Sequence, residues 1–239
     1  MSSDPSPSTA SPQDDFARAH LPPRALWPQL CLDLPELQYP PRLNCAAVLL
    51  DAAVASGGGE RSAILADGQR WTYAQLAQQV DRIAHVLRAD LGLIPGNRVL
   101  LRGANTPMMA ACLLAVLKAG CIAVPTMPLL RARELSTIIT KAEVNAVLCA
   151  QGLRGELDGV PKCPPMLCFG ADDAPLEQHM AAHDAPFAAC DTAADDVCLI
   201  SFTSGTTGVP KGTMHMHRDL LAICDCFPRS MLQVRADDI

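Results

Sequence analysis

The sequence predicts an α/β fold with a mainly parallel sheet and helices on both faces. Two observations predict it. Amphipathic or apolar helical stretches alternate along the chain with short apolar strands, the pattern of a sheet covered on both sides. Hydrophobic residues are 49% of the 239 and charged residues 18%, which suits a chain that buries a substantial core. Residues 1–15 (MSSDPSPSTASPQDD) are Ser/Pro/Asp-rich and are expected to be a disordered tail. Residues 16–43 form a segment with Pro22, Pro23, Pro28, Pro35, Pro40 and Pro41, expected to wrap a surface in extended form. Residues 44–239 carry the α/β pattern.

Each element has a local reason. Asn44 caps a helix expected to run through Ala55, and Ser56-Gly57-Gly58-Gly59 ends it. Ala63-Ile64-Leu65 reads as a short strand with Gln69-Arg70-Trp71 as its hairpin partner. Thr72 and Gln75 make a capping box for the next helix. Leu76, Val80, Ile83, Leu87 and Leu91 then recur at helical spacing, and Gly92 stops it. Val99-Leu100-Leu101 is a buried strand. Thr106-Pro107 starts a helix that Gly120 closes. Cys121 to Val124 is a strand, Arg133 to Lys141 a helix, Ala146 to Leu148 a strand, and Met166 to Phe169 another. Residues 171–194 read as a polar connection. Val197 to Phe202 is a strand, and Arg218 to Cys226 a helix.

The net charge of −6 gives nothing to draw nucleic acid, and no basic cluster suggests a membrane surface. Met108 to Pro125 approaches the length of a membrane span, but Lys118, Gly120 and Pro125 interrupt it, and a helix followed by a buried strand explains it better. The eleven cysteines are odd in number and form no Cys-x-x-Cys pair. With no basic or apolar leader at the N-terminus, they are expected to be reduced core residues in a cytosolic protein.

The strand at Val197–Phe202 leads into Ser201-Phe-Thr-Ser-Gly-Thr-Thr-Gly-Val-Pro-Lys-Gly-Thr213. Gly205 and Gly208 free the backbone to turn so that successive N–H groups face one anion. Thr203, Ser204, Thr206 and Thr207 add hydroxyl donors, and Lys211 adds a mobile positive charge. A solvated Ser/Thr/Gly turn is the bland alternative. The density of donors after a buried strand favours phosphate. Val209 and Pro210 separate Gly208 from Lys211, so the loop is not the P-loop of kinases and ATPases, and Lys211-Gly212-Thr213-Met214 is expected to be extended.

Thr203 to Gly212 resembles the signature loop of the adenylate-forming superfamily, which includes acyl- and aryl-CoA synthetases. Trp71-Thr-Tyr-Ala-Gln-Leu76, Gly96-Asn-Arg-Val-Leu100 and Lys118-Ala-Gly-Cys121 are similar to further motifs of that family. Leu43-Asn-Cys-Ala-Ala-Val-Leu-Leu-Asp51 and Met214-His-Met-His-Arg-Asp219 look most like the benzoate- and 2-aminobenzoate-CoA ligase group. The resemblance implies that 44–239 is the N-terminal portion of an AMP-binding domain. It also implies ATP, Mg²⁺ and CoA as partners, with a small, aromatic carboxylic acid as substrate. The phosphate-binding residues would be Thr203, Ser204, Gly205, Thr206, Thr207, Gly208 and Lys211, with Thr206 and Thr207 near Mg²⁺. His215 and His217 would form a wall on the substrate side, in preference to a metal pair on one strand face. No catalytic residue of the family is identified in this chain, since the family's catalytic lysine would lie beyond residue 239, and the chain alone is expected to be inactive. A non-catalytic nucleotide-binding or interaction module with the same half-fold is the alternative. An adenylation domain feeding a carrier protein is a third reading. Asp195-Asp196 is expected to be a solvated turn, and Glu134 and Lys141 are expected to be helix-surface charges.

Overall fold

Val99, Leu100 and Leu101 are fully buried, because the strand that holds them lies in the middle of a sheet covered on both faces. The computed structural model describes residues 14–66, 68–171, 173–203, 210–235 and 238. Its strands are β1 (Ser62–Ala66), β2 (Gln69–Thr72), β3 (Arg98–Arg102), β4 (Ile122–Thr126), β5 (Ala146–Ala150), β6 (Met166–Phe169), β7 (Val197–Thr203) and β8 (Lys211–Met216). Its α-helices are α1 (Phe16–Ala19), α2 (Tyr73–His85), α3 (Pro107–Lys118), α4 (Ala132–Lys141), α5 (Gly155–Asp158), α6 (Pro175–Met180) and α7 (His217–Phe227). A further helical stretch, 45–58, contains wide π-type turns.

β1 and β2 form the expected antiparallel hairpin. The other six strands lie in the order β6-β5-β3-β4-β7-β8, parallel except for β8, which returns antiparallel to β7. Side chains of a strand alternate between faces. Val99 and Leu101 therefore join the core under α2 and α3, while Leu100 joins the core under α4.

The local signals act as read. Thr72 Oγ1 accepts from Gln75 N–H at 3.2 Å while Thr72 N–H donates to Gln75 Oε1 at 2.9 Å. Leu76, Val80 and Ile83 of α2 are buried, each contributing about 1.5–3 kcal/mol relative to exposure. Thr106 Oγ1 accepts from Met109 N–H at the start of α3, and Gly120 ends it at φ +73°. Asn44 Oδ1 accepts from the N–H groups of Ala46 and Ala47 at 3.1 and 3.4 Å.

Several expectations change. The 171–194 connection contains α6, whose Leu176 and Met180 are buried; its six residues are too few to show a helical period. The Pro-rich segment is not extended throughout: it opens with α1 and includes two 3-10 turns, Arg24–Leu26 and Pro35–Leu37. Asp196 is buried rather than solvated: it accepts from Arg18 at 2.8 Å and from Ala193 N–H at 2.9 Å. Glu134 caps α4 by accepting from Arg131 N–H at 3.1 Å. Six cysteines are buried and all eleven are free, but Cys31 and Cys224 are exposed, since neither lies under a helix or in the sheet. Among the described residues no helix is long and apolar enough to cross a membrane.

Most of the expected tail lies outside the described residues, but Asp14 and Asp15 do not, and Asp14 is tightly held. Its carboxylate accepts from buried Arg98 at 2.6 Å, from Asn97 at 2.8 Å and from Phe16 N–H at 3.0 Å. The ring of Phe16 covers the Arg98 guanidinium at 4.4 Å. Burial alone would raise the Asp14 pKa, but the Phe16 N–H, Arg98 and Asn97 together hold it below the usual carboxylate value. A depressed folded pKa adds stability that is present above the unfolded value and lost as pH falls through the folded one. Asp14→Asn is therefore expected to cost about 1.5–3 kcal/mol near neutral pH and progressively less as the pH falls below about 4. Urea midpoints measured across that range check it; an equal loss at every pH would contradict the linkage.

Candidate nucleotide-phosphate site

β7 and β8 are adjacent antiparallel strands, and the loop that joins them carries the Gly/Ser/Thr sequence. Their register ends at Thr203 opposite Lys211, so these two residues close the mouth of the loop. Both are exposed. Ser204, Gly205, Thr206, Thr207 and Gly208 lie outside the described residues, as does Val209. The stretch expected to be extended after Lys211 is β8.

The stem of this hairpin is built closely. A Cβ at Gly212 would come within 3.0 Å of Ile200 Cγ2 and 3.3 Å of Phe202 Cζ, so glycine lets the strands approach without displacing either side chain. Thr213 Oγ1 donates to Ser201 O at 2.9 Å. Lys141 is an exposed charge at the end of α4, as expected, and its Nζ donates to Pro210 O at 2.8 Å, next to Lys211. The stem is thus fixed by the sheet on one side and by α4 on the other.

Thr203 is the last residue of β7, and β7 runs parallel to β4. The loop mouth therefore lies at the carboxyl ends of the parallel strands, where open α/β sheets hold ligands. Arg102, at the same end of β3, was missed in the sequence. Its side chain is almost fully buried and donates to the carbonyls of Met127, Pro128 and Leu130, at 3.0, 3.0 and 2.9 Å, and to Leu153 at 3.3 Å. It ties down the turns that follow β4 and β5. A cavity of about 380 Å³ lies at the opposite, amino-terminal edge, between Arg18, Trp27, Gly96 and Val197, away from Thr203 and Lys211.

The two histidines part company. His215 stays in β8, but β8 ends at Met216 and His217 begins α7. They are not a pair on one strand face. His217 is buried, and its Nδ1 accepts from Cys45 N–H at 3.2 Å. His217 thus turns into the core, while His215 is half-buried.

The fold is thus a buried, mainly parallel α/β sheet, with the Gly/Ser/Thr connection and Lys211 leaving it at the carboxyl edge. The profile of the AMP-binding enzyme family matches residues 50–239, and the chain belongs to that family. It is 29% identical over 216 residues to the benzoate–CoA ligase of Thauera aromatica, covering 86% of this chain and 40% of that protein. It is 34% identical over 156 residues to the long-chain-fatty-acid–CoA ligase FadD13 of Mycobacterium tuberculosis, covering 63% of this chain and 30% of the relative. The fold matches the crystal structure of the anthranilate CoA ligase AuaEII in complex with anthranoyl-AMP, with a TM-score of 0.77 at 19% identity. That match covers 84% of this chain and 40% of that one. The chain thus spans less than half the length of the relatives it matches.

Proposed function

We propose that this chain supplies the phosphate-gripping part of an ATP-dependent acid–CoA ligase. In this reading a carboxylate attacks the α-phosphorus of ATP, the bond to the β-phosphate oxygen breaks, and acyl-AMP and pyrophosphate form. The CoA thiol then attacks the acyl carbon, loses its proton, and releases AMP. The observation that carries the reading is the Thr203–Lys211 mouth of the loop at the carboxyl edge of the sheet, in a chain of the AMP-binding family.

Carboxylate and phosphate are both anionic, so the reaction needs positive charge and N–H donors around the phosphates. Lys211 supplies charge, and Thr203 a hydroxyl. Ser204, Gly205, Thr206, Thr207 and Gly208 are proposed to complete the cradle. Mg²⁺ would neutralise phosphate charge, with Thr206 and Thr207 beside it. Among the described residues the one cluster of metal donors is Cys45, Cys198 and His217, whose soft atoms do not suit Mg²⁺. The acid is proposed to be aromatic, such as benzoate or 2-aminobenzoate; the benzoate–CoA ligase relative supports this, and the fatty-acid relative makes the comparison worth running. Eleven free thiols suit a reducing, cytosolic setting.

Lys211→Ala is expected to weaken ATP binding about tenfold or more, the value of a charge-assisted hydrogen bond. Calorimetric titration of the purified chain with ATP checks this; unchanged affinity would remove the loop from the reading. The chain by itself is expected to show little ATP–pyrophosphate exchange with benzoate, 2-aminobenzoate or a fatty acid. Vigorous exchange would show that this chain suffices for adenylation.

A further inference from the structure

Behind the hairpin stem, three soft donors from distant parts of the sequence meet in the core. Cys45 comes from the first position of the 45–58 helix, Cys198 from β7, and His217 from the first position of α7. Their ligand atoms all lie within 4.8 Å of one another, and all three residues are buried. His217 Nδ1 is 3.1 Å from Cys45 Sγ, and it accepts from Cys45 N–H. A nitrogen that accepts has its lone pair free of a proton, the form of imidazole that binds metal. Cys198 Sγ makes a long contact of 3.6 Å with His215 O.

We propose that Cys45, Cys198 and His217 form a three-coordinate site for monovalent copper. Thiolate donors select soft ions. Structural zinc takes four protein ligands in a closed site, whereas this cluster offers three among the described residues and is shut off from water. Two thiolates and a monovalent ion leave one negative charge in the core. Two helix N-termini, those of the 45–58 helix and of α7, converge on it, and the partial positive charge of each favours an anion there. On binding, both thiols release their protons to solvent, the copper takes the Nδ1 lone pair from Cys45 N–H, and no oxidation occurs. The ion would pin β7 to the 45–58 helix and to α7, which share one core with Cys198, at the base of the strand that ends in Thr203. This site is independent of the nucleotide reading.

The test is anaerobic titration of the full chain with Cu(I) against a chromogenic Cu(I) chelator. Cys31 and Cys224, both exposed, are first changed to serine so that they cannot take metal. A single tightly held equivalent is expected, with copper-edge X-ray absorption showing two sulfurs and one nitrogen. Cys198→Ala, which removes a sulfur without burying a new polar group, is expected to lower the affinity at least about tenfold. Copper should also raise the melting temperature of the parent and not of this variant. Circular dichroism checks that the variant is folded; should it not fold, the absorption spectrum of the parent decides. Copper held equally by Cys198→Ala, a spectrum without nitrogen, tighter retention of Zn²⁺ than of Cu(I), or a Cys45–Cys198 disulfide formed in preference to metal binding would each overturn the proposal.

Discussion

Arg102→Met is expected to cost about 3–5 kcal/mol, the largest loss of any single substitution considered for this chain. The guanidinium is almost fully buried and forms no salt bridge among the described residues; four backbone carbonyls share its donors instead. Methionine fills much of the space but leaves those carbonyls without their donor in a part-buried site. Each abandoned acceptor costs up to about 1–3 kcal/mol, partly recovered by local relaxation and by water at the exposed side of the turn. Equilibrium denaturation in urea measures the total. Hydrogen exchange or limited proteolysis locates it, and the turn from Met127 to Leu130 should open first. A loss under about 1 kcal/mol would mean that the carbonyls find water when the arginine leaves.

Lys118→Met should produce the second large effect, a loss of about 2–4 kcal/mol. Lys118 Nζ lies 2.8 Å from Asp51 and 2.5 Å from Asp81, and its side chain is 4% exposed. It joins the end of α3 to the 45–58 helix and to α2. Without it, two carboxylates face each other in a confined space with no cation between them. The part of the cost that comes from their repulsion can be separated. Asp81→Asn in the Lys118→Met background should recover stability, although the same change in the parent should reduce it. Additive losses would show instead that Lys118 acts through the packing of its aliphatic stem. Asp51 retains more exposure than Asp81, so Asp51→Asn should recover less.

The two residues differ in how visible they were. Arg102 is one charged residue at the end of an apolar strand, and nothing within a few residues of it shows that four carbonyls will surround it. Lys118 was noticed only because it interrupts an apolar run and sits in a turn motif similar to the family's. The carboxylates it holds lie 37 and 67 residues away along the chain. Lys141 is the surface charge it read as, but its partner was hidden for the same reason: Pro210 is 69 residues further on. In the loop region the sequence pointed to Thr203 and Lys211, and the hairpin register sets them opposite each other. It also left open a His215–His217 pair on one strand face, because the spacing alone does not show where β8 gives way to α7.

What the sequence by itself determined is whatever closes within a turn or two. The Thr72–Gln75 capping box, the Thr106 cap, the apolar stripe of α2 and the runs that become β3 to β7 all depend on neighbours at fixed offsets. The Gly/Ser/Thr loop is legible for the same reason, since its glycines, hydroxyls and lysine are contiguous. The tertiary structure alone decided which distant groups meet: Arg98 with Asp14, Lys118 with Asp51 and Asp81, and Cys45 with Cys198 and His217. These meetings depend on the strand order β6-β5-β3-β4-β7-β8 and on which helix covers which face. That order is fixed by the summed burial of both cores, which no single stretch of chain encodes.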